Sequence, residues 1–212
     1  MYVSGMLWCV AAILYLTCEA IAAAGYSGYS YLHNLVSDLG NPTLRSPQAG
    51  VINTAFVVHG ILFAIAGLAA RCGSRRAFVS DLFTTAAVAH GVGVTLVGVF
   101  HSDHQAVVNG TALLHSVGAG VAMICGNCAA ILAGSGALHD TVPPPVEVGS
   151  IALGSVGLIC LACLILDHQV GGTLPLDYGA WERGAIYTII GWELLVAIGI
   201  LTAPRTAVIR GA

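Results

Sequence analysis

Six long apolar segments, separated by short polar stretches, dominate the sequence. Each segment has about 20 residues, the length that an α-helix needs to cross roughly 30 Å of hydrocarbon. The pattern predicts membrane-spanning helices over approximately 2–25, 50–70, 82–100, 111–136, 148–166 and 184–203. Helices satisfy their own backbone hydrogen bonds in lipid, and the alternating pattern of a membrane barrel is not present. We therefore predict an all-α membrane protein in which residues 1–212 form a single six-transmembrane-helix bundle.

The composition supports a membrane protein and argues against a nucleic-acid partner. Hydrophobic residues make up 57% of the chain and charged residues only 8%, with a mean hydropathy of +0.88. A soluble domain carries roughly 25% charged residues, so this chain cannot cover a water-facing surface and membrane lipid is its expected surrounding. The net charge of -3 is small and the sequence has no basic run, which argues against nucleic-acid binding.

The arginines are distributed unevenly between the two sides of the predicted bundle. With six spans, the loop after the second span shares one side with both termini, and five arginines lie on that side: Arg71, Arg75, Arg76, Arg205 and Arg210. Only Arg45 and Arg183 lie on the other side. The positive-inside rule therefore predicts cytoplasmic N- and C-termini in a plasma (inner) membrane. Residues 1–6 carry no positive charge, so we interpret the first segment as a retained span rather than a signal peptide.

Three histidines near the outer ends of the third and fourth spans suggest a metal site. His101 and His104 are three residues apart and would share one face if the helix continued through them. His115 follows about one turn into the fourth span. Three imidazoles can hold zinc with one position open, as a catalytic site requires, and zinc would make its bound water a nucleophile near neutral pH. The alternative is that these residues only cap helix ends at the membrane surface.

Acidic, hydroxyl and charged residues on the same predicted face would complete such a site. Asp103 would serve as ligand or base, Asp38 would orient the water or a ligand, and Ser37 would hydrogen-bond to it. Glu182 and Arg183 stand just before the last predicted span. Adjacent residues on a helix do not face each other, so each needs a partner from elsewhere, with Asp38 or Asp103 expected for Arg183. Alternatively, Arg183 would clamp an anionic head group.

A second polar set lies at the predicted midplane of the membrane. His59, His90 and Glu193 stand near the centres of the second, third and sixth spans. Ionisable residues are costly at this depth and usually mark a site or a partner. A histidine–glutamate hydrogen bond would satisfy two of them. The functional alternatives are a proton relay and a haem held between His59 and His90.

Several short motifs resemble those of a known family. The stretch from His33 to Pro42 reads His-Asn-Leu-Val-Ser-Asp-Leu-Gly-Asn-Pro and resembles the Ser-Asp-Leu-Gly signature of bacterial membrane proteins catalogued as domain of unknown function 998. The stretch from Gly98 to Asp103, followed by His115, is similar to that family's Gly-x-Phe-Pro-x-Asp and later histidine. Glu182-Arg183 and Trp192 resemble its Glu-Arg pair and its tryptophan on the last helix. The similarity covers about residues 5–203.

The resemblance implies a six-helix membrane bundle but no established activity. It points to seven residues: Ser37, Asp38, Asp103, His115, Glu182, Arg183 and Trp192. This chain has His101 where the family pattern has proline, and His104 is its own. A metal bound by these histidines would therefore be particular to this protein.

These observations predict an outward-facing polar pocket and leave three functions open. The leading hypothesis is a metal-assisted hydrolase of a lipid or amphiphile, with zinc on His101, His104 and His115 and with Arg183 neutralising charge. A serine, an aspartate and several histidines on one face are similar, in residue types alone, to the ceramidase and progestin-receptor superfamily of membrane hydrolases. The alternatives are a non-catalytic lipid-binding or accessory subunit, with a protein partner or a second copy, and redox or proton transfer through the midplane residues.

Overall fold

The computed structural model describes residues 1–44, 46–71, 77–101, 104–139 and 141–202, and every regular element within them is helical. The predicted all-α architecture is confirmed. The elements, in chain order, are α1 (Tyr2–Gly25), α2 (Val36–Leu39), a 3₁₀ turn (Pro42–Leu44), α3 (Ala49–Arg71), α4 (Ala77–Val99), α5 (His104–Asn109), α6 (Ala112–Leu132), a π-helical turn (Ala133–Ala137), α7 (Pro144–Val170) and α8 (Tyr178–Thr202).

Six of the described helices are long and apolar enough to cross a membrane, as predicted: α1, α3, α4, α6 with its π-helical turn, α7 and α8. The largest boundary error concerns the last helix, which begins at Tyr178 rather than at 184. The hydropathy pattern placed Glu182 and Arg183 before the helix because they are charged. Both are buried and paired inside α8, so their charge did not end the helix.

The helices form a ring in which each packs against its neighbours. Helix α1 contacts α3 and α8, α3 contacts α4, α4 contacts α6, and α7 packs on α6 and α8. Short α2 contacts α1 and α8 and lies over the end of the bundle formed by the C-terminus of α1 and the N-terminus of α8. We call this end the α2 end.

Glycine determines how closely α3 and α4 approach. A Cβ atom added to Gly60 would lie 2.5 Å from the carbonyl oxygen of Gly91, so only glycine fits where the two backbones touch. Gly60 follows His59 and Gly91 follows His90 in the sequence. The close contact therefore brings the two midplane histidines together.

Aromatic packing fills the half of the bundle away from the α2 end. Trp192 of α8 lies against Trp8 of α1 and Phe63 of α3, with ring centroids 5.3 Å and 5.6 Å away. Phe83 of α4 completes the cluster, and all four side chains are buried. This aromatic core fills the interior of the bundle on the side of the midplane opposite the α2 end.

Candidate functional site

Arg183 ties the segment after α1 to the first turns of α8. Its guanidinium donates hydrogen bonds to the carbonyl oxygens of Tyr31 and Asn34, both at 2.8 Å, and to the hydroxyl of Tyr29. Its Nε also donates to Oε1 of Glu19 at 3.1 Å, and a terminal nitrogen lies 3.1 Å from the same oxygen. All five N–H groups of this buried side chain therefore face acceptors within the protein.

The ion partner of Arg183 among the described residues is Glu19 of α1, so the expected pairing with Asp38 was wrong, and Asp103 lies outside the described residues. The hydroxyl of Tyr187 donates to both Glu19 oxygens, at 3.0 and 3.1 Å. Asp38 instead accepts a hydrogen bond from the backbone N–H of Leu35. The signal available in the sequence was Glu19 itself, a charge inside an apolar span that must find a partner.

Two tyrosines surround the guanidinium of Arg183. Its central carbon lies 4.6 Å from the ring centroid of Tyr31 and 5.4 Å from that of Tyr29, within the range of cation–π attraction. Burial raises the pKa of Tyr29, so its hydroxyl stays protonated and donates to the carbonyl oxygen of Leu35 at 2.8 Å. The loop is thereby fixed directly before α2.

Helix α2, which carries Ser37 and Asp38, is held in place by two carboxylates. Asp38 Oδ2 accepts from the N–H of Leu35 at 3.0 Å, and Glu182 Oε2 accepts from the N–H of Val36. Both groups satisfy N–H donors that begin a helix, where negative charge is favourable. Glu182 thus fixes α2 over the end of the bundle.

A cavity of about 60 Å³ lies beneath α2, at the centre of the ring. Its lining includes residues from six helices: Tyr15, Ser37, His59, His90, Ala122 and Glu182. It extends from the polar α2 end to the midplane histidines, so the two polar layers predicted from the sequence meet in one space. A volume of this size has room for a few water molecules or for the end of a larger ligand.

The cavity opens at the α2 end. Its deep lining residues, such as Tyr15 and His90, are buried, whereas four others are partly exposed: Ser37, Val97, Ala119 and Ile186. Val97 lies close to the end of α4, and Ile186 lies two turns into α8. The mouth is therefore near the boundary of the hydrocarbon.

Three buried side chains that line this cavity have a polar atom without a hydrogen-bond partner among the described residues. They are the Tyr15 hydroxyl, Nδ1 of His59 and Nε2 of His90. The exposed fraction is 2–3% for each of these residues. A buried polar atom without a partner costs roughly 1–3 kcal/mol, so this arrangement calls for a water molecule or a ligand.

The predicted midplane residues come together. Nε2 of His59 lies 3.1 Å from Oε2 of Glu193, which is the expected histidine–glutamate contact. His59 and His90 pack edge to face, with ring centroids 5.6 Å apart. Nδ1 of His90 donates to the carbonyl oxygen of Ala122 at 2.8 Å. Proton transfer through this group, and a haem between the two histidines, stay predictions.

A family model described as "Protein of unknown function (DUF998)" matches residues 9–199. The chain belongs to the DUF998 family. No curated protein and no solved structure matches it. The family relationship therefore agrees with the resemblance noted in the sequence and supplies no activity.

In this DUF998 protein, most of the motif residues in the described part of the chain lie at or near the cavity mouth. Ser37 and Glu182 line the cavity, while Asp38 and Arg183 hold the segment that covers it. Trp192 lies apart from them, in the aromatic core of the other half. A binding role for Trp192 stays a prediction.

The predicted zinc ligands of the DUF998 protein are described only in part. Asp103 and the side chain of His104 lie outside the described residues. His101 follows the end of α4 and α5 begins at His104, so the two histidines are not on one described helix. Within the described residues, no group of three or more metal-ligating side chains is present. Zinc stays a prediction.

Two of the predicted zinc ligands, His101 and His115, each already have one hydrogen bond to the protein. Nε2 of His101 lies 2.9 Å from Nδ2 of Asn53, and Nδ1 of His115 donates to the carbonyl oxygen of Phe100 at 2.8 Å. A backbone carbonyl on one ring nitrogen is the arrangement that orients many metal-ligating histidines. His115 therefore keeps Nε2 as its acceptor nitrogen.

Tyr15 is the cavity residue that sequence reasoning missed in this DUF998 protein. A tyrosine within an apolar span is usually packing, so nothing in the sequence distinguished it. Its ring lies 5.3 Å from that of His59 and 5.8 Å from that of Phe56.

Proposed function

We propose that this protein binds a membrane-soluble amphiphile, with the polar end of the ligand in the central cavity. The observation that carries the proposal is the set of three unpartnered polar atoms, on Tyr15, His59 and His90, around one buried space. The remaining lining is largely apolar, as ligand sites usually are. The volume holds only a small polar end, so the apolar tail would leave through the mouth.

The arrangement of Arg183 supports an uncharged binding cavity over an anion clamp. Its donors are all engaged by the loop, by Glu19 and by Tyr29. Binding a head group there would require these contacts to break. The role of Arg183 in the proposal is to hold the cover of the cavity.

Filling the cavity tests this proposal. Val94 and Val92 lie two residues apart on α4, but Val94 lines the cavity and is 7% exposed, whereas Val92 is 54% exposed. We expect Val94→Phe to weaken binding of 1-dodecanol to the protein in lipid nanodiscs by at least about tenfold, or 1.4 kcal/mol. Val92→Phe should bind as the wild type does. Equal binding by Val94→Phe, with the fold intact, would remove the proposal.

Metal-assisted hydrolysis remains the second candidate function, and one contact favours it. The hydrogen bond from His115 to the carbonyl oxygen of Phe100 places its ring beside the chain that leads into His101. We expect near-stoichiometric zinc in protein purified without a histidine tag or chelator, and its loss in His115→Ala. Elemental analysis decides this, because unchanged metal content in the folded variant contradicts the site.

A further inference from the structure

We infer that the cavity selects an amphiphile whose polar end is a hydroxyl group rather than an ester, an ether or an anionic head group. The inference rests on the proposed function and names the class of ligand. It follows from the direction of the hydrogen bonds that the cavity residues already make.

His90 presents a hydrogen-bond acceptor to the cavity. A carbonyl oxygen only accepts, so the 2.8 Å contact between Nδ1 of His90 and the carbonyl oxygen of Ala122 places the proton on Nδ1. In a neutral imidazole the other nitrogen is then an acceptor. Nε2 is buried without a partner, so it requires a donor from the ligand.

His59 brings a second unpartnered nitrogen to the cavity. Its Nε2 lies 3.1 Å from Oε2 of Glu193, and its Nδ1 is buried without a partner among the described residues. A hydroxyl group can donate to this nitrogen or accept from it, whichever tautomer the contact with Glu193 sets. Two ring nitrogens therefore lack partners within one small space.

Tyr15 completes the recognition of a hydroxyl group. Its phenol can donate as well as accept, and its ring lies 5.3 Å from that of His59. An alcohol would donate its proton to a ring nitrogen and accept one from Tyr15. An ether or ester can only accept, and would leave Nε2 of His90 unsatisfied.

An anionic end is disfavoured by the same residues. It would bring no donor to Nε2 of His90, and it would stand near the buried carboxyl groups of Glu193 and Glu182. The guanidinium of Arg183, the natural counter-ion, has its five donors engaged elsewhere. A negative charge would therefore be buried without compensation.

The test compares three probes with the same twelve-carbon chain: 1-dodecanol, dodecyl methyl ether and dodecanoate. Wild-type protein, labelled with ¹⁵N-histidine in lipid nanodiscs, is titrated with each. We expect the alcohol to bind at least about tenfold more tightly than the others, since a site built for a hydroxyl group rejects analogues without it. The Nε2 resonance of His90 should move with the alcohol only.

Two variants identify the residues responsible. Tyr15→Phe removes one hydroxyl and keeps the ring packing, so binding of the alcohol and of the ether should both weaken, because each ligand oxygen accepts the proton of Tyr15. His90→Phe removes the acceptor and should abolish the preference for the alcohol. Val92→Phe on the exposed face of α4 is the control and should keep the full preference.

The outcomes separate the two proposals. If alcohol and ether bind equally, or if dodecanoate binds best, the cavity still binds amphiphiles but the hydroxyl inference is wrong. If none of the three probes binds, the cavity holds only water and both proposals fail. A preference that survives in His90→Phe would also overturn the inference.

Discussion

Arg183 illustrates how a full charge is accommodated within a membrane helix. Its five donors have acceptors on α1, on α8 and in the loop that follows α1, and the rings of Tyr29 and Tyr31 lie against its guanidinium. A buried ion pair contributes little net stability compared with an apolar replacement, but removing one partner leaves an uncompensated charge. The contribution of the Arg183–Glu19 pair to stability should therefore appear when one of the two partners is removed.

We expect Arg183→Gln to lower the free energy of unfolding by about 3–5 kcal/mol, because Glu19 stays buried without its partner. Arg71→Gln is the control. Arg71 lies 2.5 Å from Asp81 at an exposed position, where an ion pair contributes about 0–1 kcal/mol. Reversible unfolding in mixed micelles measures both. An equal loss of unfolding free energy in both variants would show that burial of the Glu19 pair has no special cost. Adding Glu19→Gln to Arg183→Gln should recover part of the loss, because it removes the unpaired buried charge.

At the scale of the elements, glycine determines the spacing between α3 and α4. The contact between Gly60 and Gly91 leaves no room for a methyl group, whereas a Cβ at Gly50, on the same helix, would meet nothing within 4 Å. His59 and His90 each precede one of the two contact glycines. A change in the packing of α3 against α4 would therefore also move His59 and His90, and with them the lining of the cavity.

We expect Gly60→Ala to destabilise the protein by about 1–3 kcal/mol, because the two helices must move apart. Gly50→Ala should be neutral or slightly stabilising, since alanine favours a helix more than glycine does. Thermal unfolding in detergent compares the two. A Gly60→Ala variant as stable as Gly50→Ala would show that the backbone contact is not a tight one.

Much of the helix pattern could be predicted from the sequence, because hydropathy acts locally. The start of α8 could not, since Glu182 and Arg183 are tolerated there only through partners on α1 and α2 that are distant in the chain. The meeting of His59 with Glu193 was anticipated from their equal depth. A polar pocket was predicted, but its extension to the midplane histidines was not, because Tyr15 gives no sequence signal that separates it from a packing residue.

At the scale of the whole molecule, the two ends of the bundle differ in charge. Arg183, counted among the loop charges of one side, is buried within α8 and engaged by Glu19. That leaves Arg45 against five arginines on the other side. Without Arg183, the difference in the number of arginines between the two sides is larger, and the predicted orientation rests on that difference.

We predict that the C-terminus faces the cytoplasm and the α2 end faces outward. A green fluorescent protein fused to the C-terminus should fluoresce, and alkaline phosphatase at the same place should be inactive. Phosphatase inserted between α7 and α8, near Gly172, should be active. The reverse pattern of activities would place the cavity mouth on the cytoplasmic side.

The pairing of Glu19 with Arg183 has a consequence for how the chain is made. The two residues are 164 positions apart, on the first and last membrane helices. During synthesis, Glu19 enters the membrane long before its partner exists, and it must wait near the interface, near water, or bound to an insertion factor. The loop that covers the cavity gains its anchor only when α8 arrives. The proposed binding site would therefore be completed in the last step of membrane insertion, and a chain that stops before α8 would have neither the cover nor the compensated charge.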